Sequence, residues 1–402
     1  MSDTQPSKNN IKEKEMAINR DRNNTRQRTR TVFVPVGGGG SKIETEELCV
    51  SENGTYEAGE DKAYSKVTVK VTEPLGTVKI ADYGLKFKES TITEVPEWAD
   101  FEGVTNMTDM FRACPQLTSV NLGNISGVTN MSYMFRDSSK ITSITLGDTS
   151  KVTDMSNMFY FCRGLKTIPD MDTSNVENME YMFAYMNITT IPFIDTSKVT
   201  NMGRMFLTCR ELTDDIPLID TSNVTKMPSM FEGCDSLTTI PLLDTSNVTD
   251  MGTMFQNCGS LITIPLLNTS NVTNMSTMFR YCAKLTSIPQ LDTYRVTNMS
   301  FMFVNCLSLT SIPLLNASSL TDAYYMFGGC SALTDLGGFT GLKCNLDLSP
   351  CTALTHDSVM NVINKAADVT ASPKTLTLGS TNIAKITEEE IAVATNKGWT
   401  LA

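Results

Sequence analysis

One dipeptide, Met-Phe, returns ten times at almost constant intervals. Its phenylalanines are Phe111, Phe135, Phe159, Phe183, Phe206, Phe231, Phe255, Phe279, Phe303 and Phe327. The interval is 24 residues, except for one of 23 followed by one of 25. A chain with this period folds as a repeat solenoid, in which similar coils stack and each covers its neighbour's apolar face. One coil alone buries too little apolar surface to offset the entropy of ordering 24 residues, so the copies depend on one another.

Each column of the repeat has its own physics. In the copy from Asp244 to Leu267, Val248, Met251, Met254, Phe255, Leu261 and Ile264 are the regular apolar positions, and Leu266 or Leu267 completes the set. Leu261 to Ile264 suits a short strand, which Pro265 should end because proline cannot donate to a ladder. The spacing within Met-x-x-Met-Phe suits a single helical or 3₁₀ turn. Asp244-Thr245-Ser246-Asn247 is turn chemistry.

Two columns invite a chemical reading. Cys114, Cys162, Cys209, Cys234, Cys258, Cys282, Cys306 and Cys330 all lie three residues after the phenylalanine, with Ser138 and Met186 in the other two copies. Disulfides or soft-metal sites are conceivable, but free cysteine is a small hydrophobe and a column that accepts serine and methionine is expected to be a buried thiol ladder. Asn124, Asp148, Asp172, Asp195, Asp220, Asp244, Asn268, Asp292 and Asn316 form the second line. A stack of Asx-turns is expected there rather than a calcium ladder, since asparagine replaces aspartate three times. The Asn-Val-Thr and Asn-Met-Ser triplets match a glycosylation pattern but recur because the repeat recurs.

The run Asp-Thr-Ser-Asn-Val-Thr-x-Met-x-x-Met-Phe-x-x-Cys-x-x-Leu-Thr-x-Ile-Pro resembles the leucine-rich-repeat-like modules of BspA-type bacterial surface proteins. More closely, it resembles the mycoplasma-lipoprotein-like repeat family, DUF285. The match covers about residues 85–337 in tandem copies. The resemblance implies a leucine-rich-repeat-like solenoid displayed on a surface for attachment, in bacteria or in phages that infect them, with no ligand specified.

Four regions follow. Residues 1–42 are read as a flexible basic tail, with Arg20, Arg22, Arg26, Arg28 and Arg30 as a candidate anchoring cluster and a closing Gly37-Gly38-Gly39-Gly40-Ser41 linker. Residues 43–74 are read as a small β-hairpin module, from Asn53-Gly54 and the alternation of residues 65–71. Residues 75–337 hold a degenerate capping coil, marked by Ile92-Thr93-Glu94-Val95-Pro96 with Trp98 nearby, and then the ten repeats. Residues 338–402 are read as a β-α cap. It has strands at 346–348, 376–378 and 399–401 and a helix over 357–367 facing inward through Val359, Val362, Ile363 and Ala366. A second helix over 387–396 carries a Thr387/Glu390 capping box and stops at Gly398.

Catalytic signals are sparse. The single histidine, His356, precedes a helix and is expected on the surface. There is no Gly-x-Ser-x-Gly elbow, and Asp214-Asp215 is expected to be a surface bulge in the 25-residue copy. A non-catalytic protein without cofactor or metal is expected, and a glycan-processing enzyme is the distant alternative.

Ligand specificity would reside in the columns that vary. Two residues before the phenylalanine stand Asp109, Tyr133, Asn157, Tyr181, Arg204, Ser229, Thr253, Thr277, Phe301 and Tyr325; Arg280 and Tyr160 follow it by one, and Phe161, Tyr185 and Tyr281 by two. Aromatic and arginine side chains on one ridge are typical interface anchors, so Tyr133, Tyr160, Phe161, Tyr181, Tyr185, Arg204, Arg280, Tyr281, Phe301 and Tyr325 are the candidate binding residues. Rows of Thr and Ser, such as Thr118, Ser119, Thr238, Thr239, Thr286 and Ser287, offer hydroxyls to a sugar but also simply suit exposed strands.

The net charge is −11, and removing the tail's +5 (nine Lys/Arg against four Asp/Glu) leaves about −16 on the rest. Nucleic acid is therefore not an expected partner of the array. No segment reads as a signal peptide or a membrane span, so membrane insertion is not expected. The expectation is an adhesion protein, tethered by its N-terminus to a virion as a fibre or decoration, forming a homo-oligomer and contacting a host-surface protein or glycan. Display on a bacterial cell surface is the alternative.

Overall fold

The structure, a computed structural model, describes residues 86–95 and 99–402, and otherwise only the segments 15–19, 31–33, 46–50, 65–69 and 78–80. Two compact units are found, Met1–Val152 with Pro169–Met171, and Thr153–Ile168 with Asp172–Ala402.

Unit 1 begins with four strands, β1 (Glu15–Asn19), β2 (Thr31–Phe33), β3 (Glu46–Val50) and β4 (Ser65–Val69), in one antiparallel sheet of order β2-β1-β4-β3. The pairing of β3 with β4 is the expected hairpin, whose turn lies outside the described residues. β1 and β2 correct the reading of residues 1–42 as a flexible tail. Ile18 and Thr31-Val32-Phe33 favour extended backbone, and both segments add to the sheet. The five candidate anchoring arginines and Trp98 lie outside the described residues.

β5 (Val78–Lys79) pairs in parallel with β6 (Ala99–Asp100). The capping coil then stacks on the first repeat through a phenylalanine outside the Met-Phe series. Phe87 is 24 residues before Phe111, and the two rings stack at 5.4 Å and 4°. Their backbones join as well, with Phe87 N–H donating to the Met110 carbonyl and Glu89 N–H to that of Arg112, both at 2.8 Å.

The backbone around each Met-Phe corrects the helical turn expected there. In unit 2, Met179, Tyr181, Phe183 and Tyr185 donate to the carbonyls of Asn201, Gly203, Met205 and Leu207 in the next coil, at 2.7–3.0 Å. The intervening Met182, Ala184 and Met186 donate back three residues within their own coil, at 3.1–3.3 Å. A helix would engage every donor within its own segment. Here alternate donors point along the stack, which requires the residue two before and the residue two after the phenylalanine to be left-handed. The first column has φ between 48° and 59° in all ten copies, and the second has φ between 54° and 80°.

The expected strand of every coil is also only partly present. β7 (Ser119–Asn121) and β8 (Ser143–Thr145) pair in parallel, and their copies lack the proline. Where Pro192, Pro217, Pro241, Pro265 and Pro289 stand, a donor is missing. Contact there reduces to single bonds such as Thr213 N–H to the Thr189 carbonyl at 3.0 Å and Ile262 N–H to that of Thr238 at 2.9 Å. Pairing resumes near the C-terminal end, where β9 (Ser311–Ile312) and β10 (Leu315–Asn316) meet β11 (Asp335–Leu336) and β12 (Phe339–Thr340).

The core is a row of identical side chains. The Val, Met, Met, Phe, Leu and Ile columns are buried throughout. In unit 2 consecutive rings from Phe159 to Phe327 stack at 5.6–6.1 Å. Phe339 ends the row by turning edge-on to Phe327 at 6.2 Å.

The C-terminal cap follows its sequence closely. β13 (Leu346–Asp347), β14 (Lys374–Thr377) and β15 (Trp399–Leu401) form a parallel sheet. α1 (His356–Lys365) buries Val359, Val362 and Ile363. A short α2 (Gly379–Ile383) was not foreseen. α3 (Glu388–Asn396) has the Thr387/Glu390 capping box complete in both directions, and Gly398 follows with φ 81°.

Candidate binding surface

Most of the polar chemistry repeated in each coil serves stacking. The cysteines at positions 114, 162, 209, 234, 258, 282, 306 and 330 are buried. The thiols of Cys209, Cys258, Cys282 and Cys330 donate to the carbonyls of Phe183, Phe231, Phe255 and Phe303 at 3.0 Å. Burial raises the Cys209 and Cys258 thiols to about 12, so nothing here is a poised thiolate.

A threonine column works the same way. The buried hydroxyls of Thr196, Thr221, Thr245, Thr269 and Thr293 each donate at 2.8 Å to the carbonyl of the Asp or Asn that begins the next coil's turn. The Asx column forms the expected turns, for example Asp244 Oδ1 accepting from Ser246 N–H at 2.9 Å. That backbone bond, helped by the Ser246 hydroxyl, holds the Asp244 carboxyl below its usual range, and the same arrangement acts at Asp195. Asn223, Asn247 and Asn271 of the Asn-Val-Thr triplets donate their amides to the carbonyls of Ser197, Ser222 and Ser246 at 2.7–2.8 Å.

The two catalytic-looking places have local explanations. Asp214 Oδ1 accepts the N–H groups of Thr238 and Thr239 at 2.7 and 3.2 Å, and its other oxygen accepts the Thr238 hydroxyl. Burial opposes its charge, yet these bonds prevail and hold its pKa below the usual value. The extra residue of the long copy thus lets a carboxylate stand in for a backbone acceptor. His356 opens α1, with Nε2 2.8 Å from Glu390 Oε1 and Nδ1 3.1 Å from Asp357 Oδ1. Its imidazole is partly exposed and links α1 to α3.

The candidate ridge residues are brought into contact in two patches of unit 2. Tyr160 lies 6.0 Å from Tyr181 and 5.2 Å from Tyr185, and Phe161 lies 6.2 Å from Tyr185. Arg163 sits 4.0 Å over Phe161, and Arg204 sits 5.3 Å over Tyr181 while pairing with Glu180 at 3.6 Å. The second patch gathers Phe301, Tyr324 and Tyr325 at 5.3–6.3 Å, with Arg280 4.9 Å over Tyr281 and 5.6 Å over Phe301. Tyr324 was not among the sequence candidates. In unit 1, Tyr133 meets Arg136 at 5.4 Å.

A larger feature went unrecognised in the sequence. The residue after each proline turns outward while the next turns inward: Leu266 is 64% exposed and Leu267 2%. Phe193, Leu218, Leu242 and Leu314 share the outward place. Together they line a groove of about 1340 Å³ in unit 2, flanked by Asp195, Asp220, Asp244 and Asp292. The signal was present as two consecutive apolar residues after proline, of which extended backbone can bury only one.

Stacked coils of nearly constant length, short parallel strands and an apolar row define a leucine-rich-repeat-like solenoid. The chain belongs to the DUF285 family, described as a Mycoplasma protein of unknown function, whose model matches residues 85–192, 185–263 and 238–338. No curated protein matches the sequence. Among solved structures, it is similar to a leucine-rich repeat protein from Eubacterium ventriosum at 19% identity and a TM-score of 0.35, over 60% of this chain and 78% of that one. It is also similar to TLR13 in complex with ssRNA13, at 12% identity and a TM-score of 0.28, over 69% of this chain and 42% of that one. The functional domain of InlJ from Listeria monocytogenes, which includes a cysteine ladder, matches at 14% identity and a TM-score of 0.15, over 71% of this chain and 74% of that one.

Proposed function

We propose that this protein is a non-catalytic attachment protein, displayed on a surface, that engages its partner through variable side chains of the repeat array. The observation that carries this reading is the division of labour within each coil. The thiol, threonine and Asx columns are occupied by contacts between and within coils. The ridge columns carry clustered aromatic and arginine side chains instead. Tyrosine and arginine give large contact area and directional bonds when a partner excludes water from them.

Two pairs of substitutions test it: Tyr160→Ala with Tyr185→Ala, and Phe301→Ala with Tyr325→Ala. Binding of the labelled protein to whole host cells should fall at least tenfold in one or both. Unchanged binding with both pairs together would remove the ridge as the contact surface.

Display on a virion, anchored through the N-terminal region, is the specific form we favour, and a bacterial cell surface is the other. A density gradient of the producer's lysate separates them, by co-banding with capsid or with envelope. Because β1 and β2 belong to the N-terminal sheet, deleting residues 1–41 would damage more than an anchor. Replacing Arg20, Arg22, Arg26, Arg28 and Arg30 by glutamine tests the basic cluster alone, and loss of co-banding is the expected result.

A further inference from the structure

Five large apolar side chains in a row stand in water along the groove of unit 2: Phe193 is 78% exposed, Leu218 73%, Leu242 63%, Leu266 64% and Leu314 39%. Gln290 is the one interruption. A contiguous apolar stripe rimmed by polar groups marks an interaction site. The flank beside it is acidic at its start, with Asp195, Asp220 and Asp244 in successive coils, and then alternates as Asn268, Asp292 and Asn316. No lysine or arginine is among the residues that line the groove.

We propose that this groove receives a basic amphipathic α-helix from a partner protein, lying along the stack with one helical turn per coil. The proposal rests on the reading of the array as a binding surface and names what one of its faces would bind.

Spacing selects the helix. Hydrogen-bonded parallel coils repeat about every 4.8 Å, and the phenylalanine rings inside unit 2 repeat at 5.6–6.1 Å. A helix returns a side chain to the same face about every 5.4 Å, between those values, so its i, i+3, i+4 and i+7 residues stay in step with the row. Same-face side chains of an extended peptide recur about every 6.6 Å, longer than either repeat, and fall progressively out of step. A polyproline helix, at about 9 Å per turn, meets roughly every second coil. The row from Phe193 to Leu314 spans six coils, or about 25 Å, which about 17 helical residues cover.

Charge selects the flanks of that helix. The aspartates sit in Asx-turns along the flank, so lysine or arginine beside the apolar stripe would meet their carboxylates. The three consecutive aspartates place the strongest requirement on the turns nearest Phe193.

The test uses the full chain and a labelled 18-residue peptide with leucines at helical spacing and lysines on both flanks. A scrambled peptide of the same composition and a glutamate-for-lysine version are the controls. The helical design should bind, gain helicity by circular dichroism, and exceed both controls by at least tenfold. Leu218→Gln with Leu242→Gln should weaken it at least tenfold. Asp220→Asn with Asp244→Asn should weaken it severalfold and flatten its salt dependence. Each substitution copies a residue the chain itself uses at Gln290, Asn268 or Asn316, so an unchanged melting temperature is expected.

Equal binding of the scrambled peptide, no binding at all, or indifference to the leucine substitutions would overturn the inference. So would an oligosaccharide bound by the native chain and lost on Leu218→Gln with Leu242→Gln, which would give the groove to carbohydrate. Failure here, with cell attachment still sensitive to Tyr160 and Tyr185, would leave the attachment reading standing.

Discussion

The hydroxyl of Ser138 donates to the carbonyl of Phe111 at 2.7 Å, the same bond that the thiol of Cys258 makes to Phe231 at 3.0 Å. In the copies that carry Cys or Ser the column supplies a small side chain with a donor, and its chemistry there is acceptor satisfaction rather than thiol reactivity; Met186 fills the same place without a donor. A buried carbonyl left without its donor costs more than the bond itself contributes.

Substitutions at Cys258 should reflect this. Cys258→Ser should cost less than Cys258→Ala, which removes one of the two donors to the Phe231 carbonyl (the Cys234 N–H at 3.1 Å remains) and should cost about 0.5–1.5 kcal/mol. Denaturant melting of both variants measures the difference, and equal losses would show that only volume matters.

The thiols should be silent in the native state. Burial raises Cys114 to about 11 and Cys330 to about 12, so thiolate is scarce at neutral pH as well as shielded. A maleimide should label the ladder slowly until denaturant is added. Fast native labelling of most of the ladder would contradict the burial.

Left-handed backbone at a β-branched residue is strained, by roughly 1–2 kcal/mol. Thr277 has φ 56°, and its hydroxyl bonds only to the adjacent Ser276 carbonyl at 2.7 Å. Thr277→Gly should raise stability by about 1 kcal/mol, because glycine holds this conformation without a Cβ clash. A lower melting temperature would mean that the side chain contributes packing the strain does not outweigh.

The C-terminal cap should respond to pH through His356. Hydrogen bonds to Asp357 and Glu390 raise its pKa above the usual value. A raised pKa means the folded state binds the proton more tightly, so the stabilisation is full below the unfolded value of about 6.5 and fades as pH rises through the folded one. Protection factors in α1 and α3, taken relative to intrinsic exchange at each pH, should fall over that interval, and His356→Gln should abolish the change.

The ridge shows why a correct column can carry an incomplete list. Tyr133, Tyr181, Phe301 and Tyr325 were picked out by their place in the repeat, and the structure gives that place a left-handed backbone. Tyr324, one residue outside the columns chosen, joins the same patch through Phe301 at 5.3 Å. Phe87 follows a lysine instead of a methionine, so the Met-Phe dipeptide does not mark it, although the 24-residue interval does.

Whatever repeats locally was legible in the sequence alone: the period, the buried columns from Val248 to Ile264, the Asx-turns, and the capping box of Thr387 and Glu390. Each depends on residues close in the chain or on the period itself. What only the tertiary structure decided depends on neighbouring coils. Alternate N–H groups near Phe183 bond along the stack, which replaces the expected helical turn with left-handed residues at Tyr181 and Tyr185. Stacking likewise turned Leu267 inward and left Leu266 in water, and five such outward residues became a groove only when their coils were brought together.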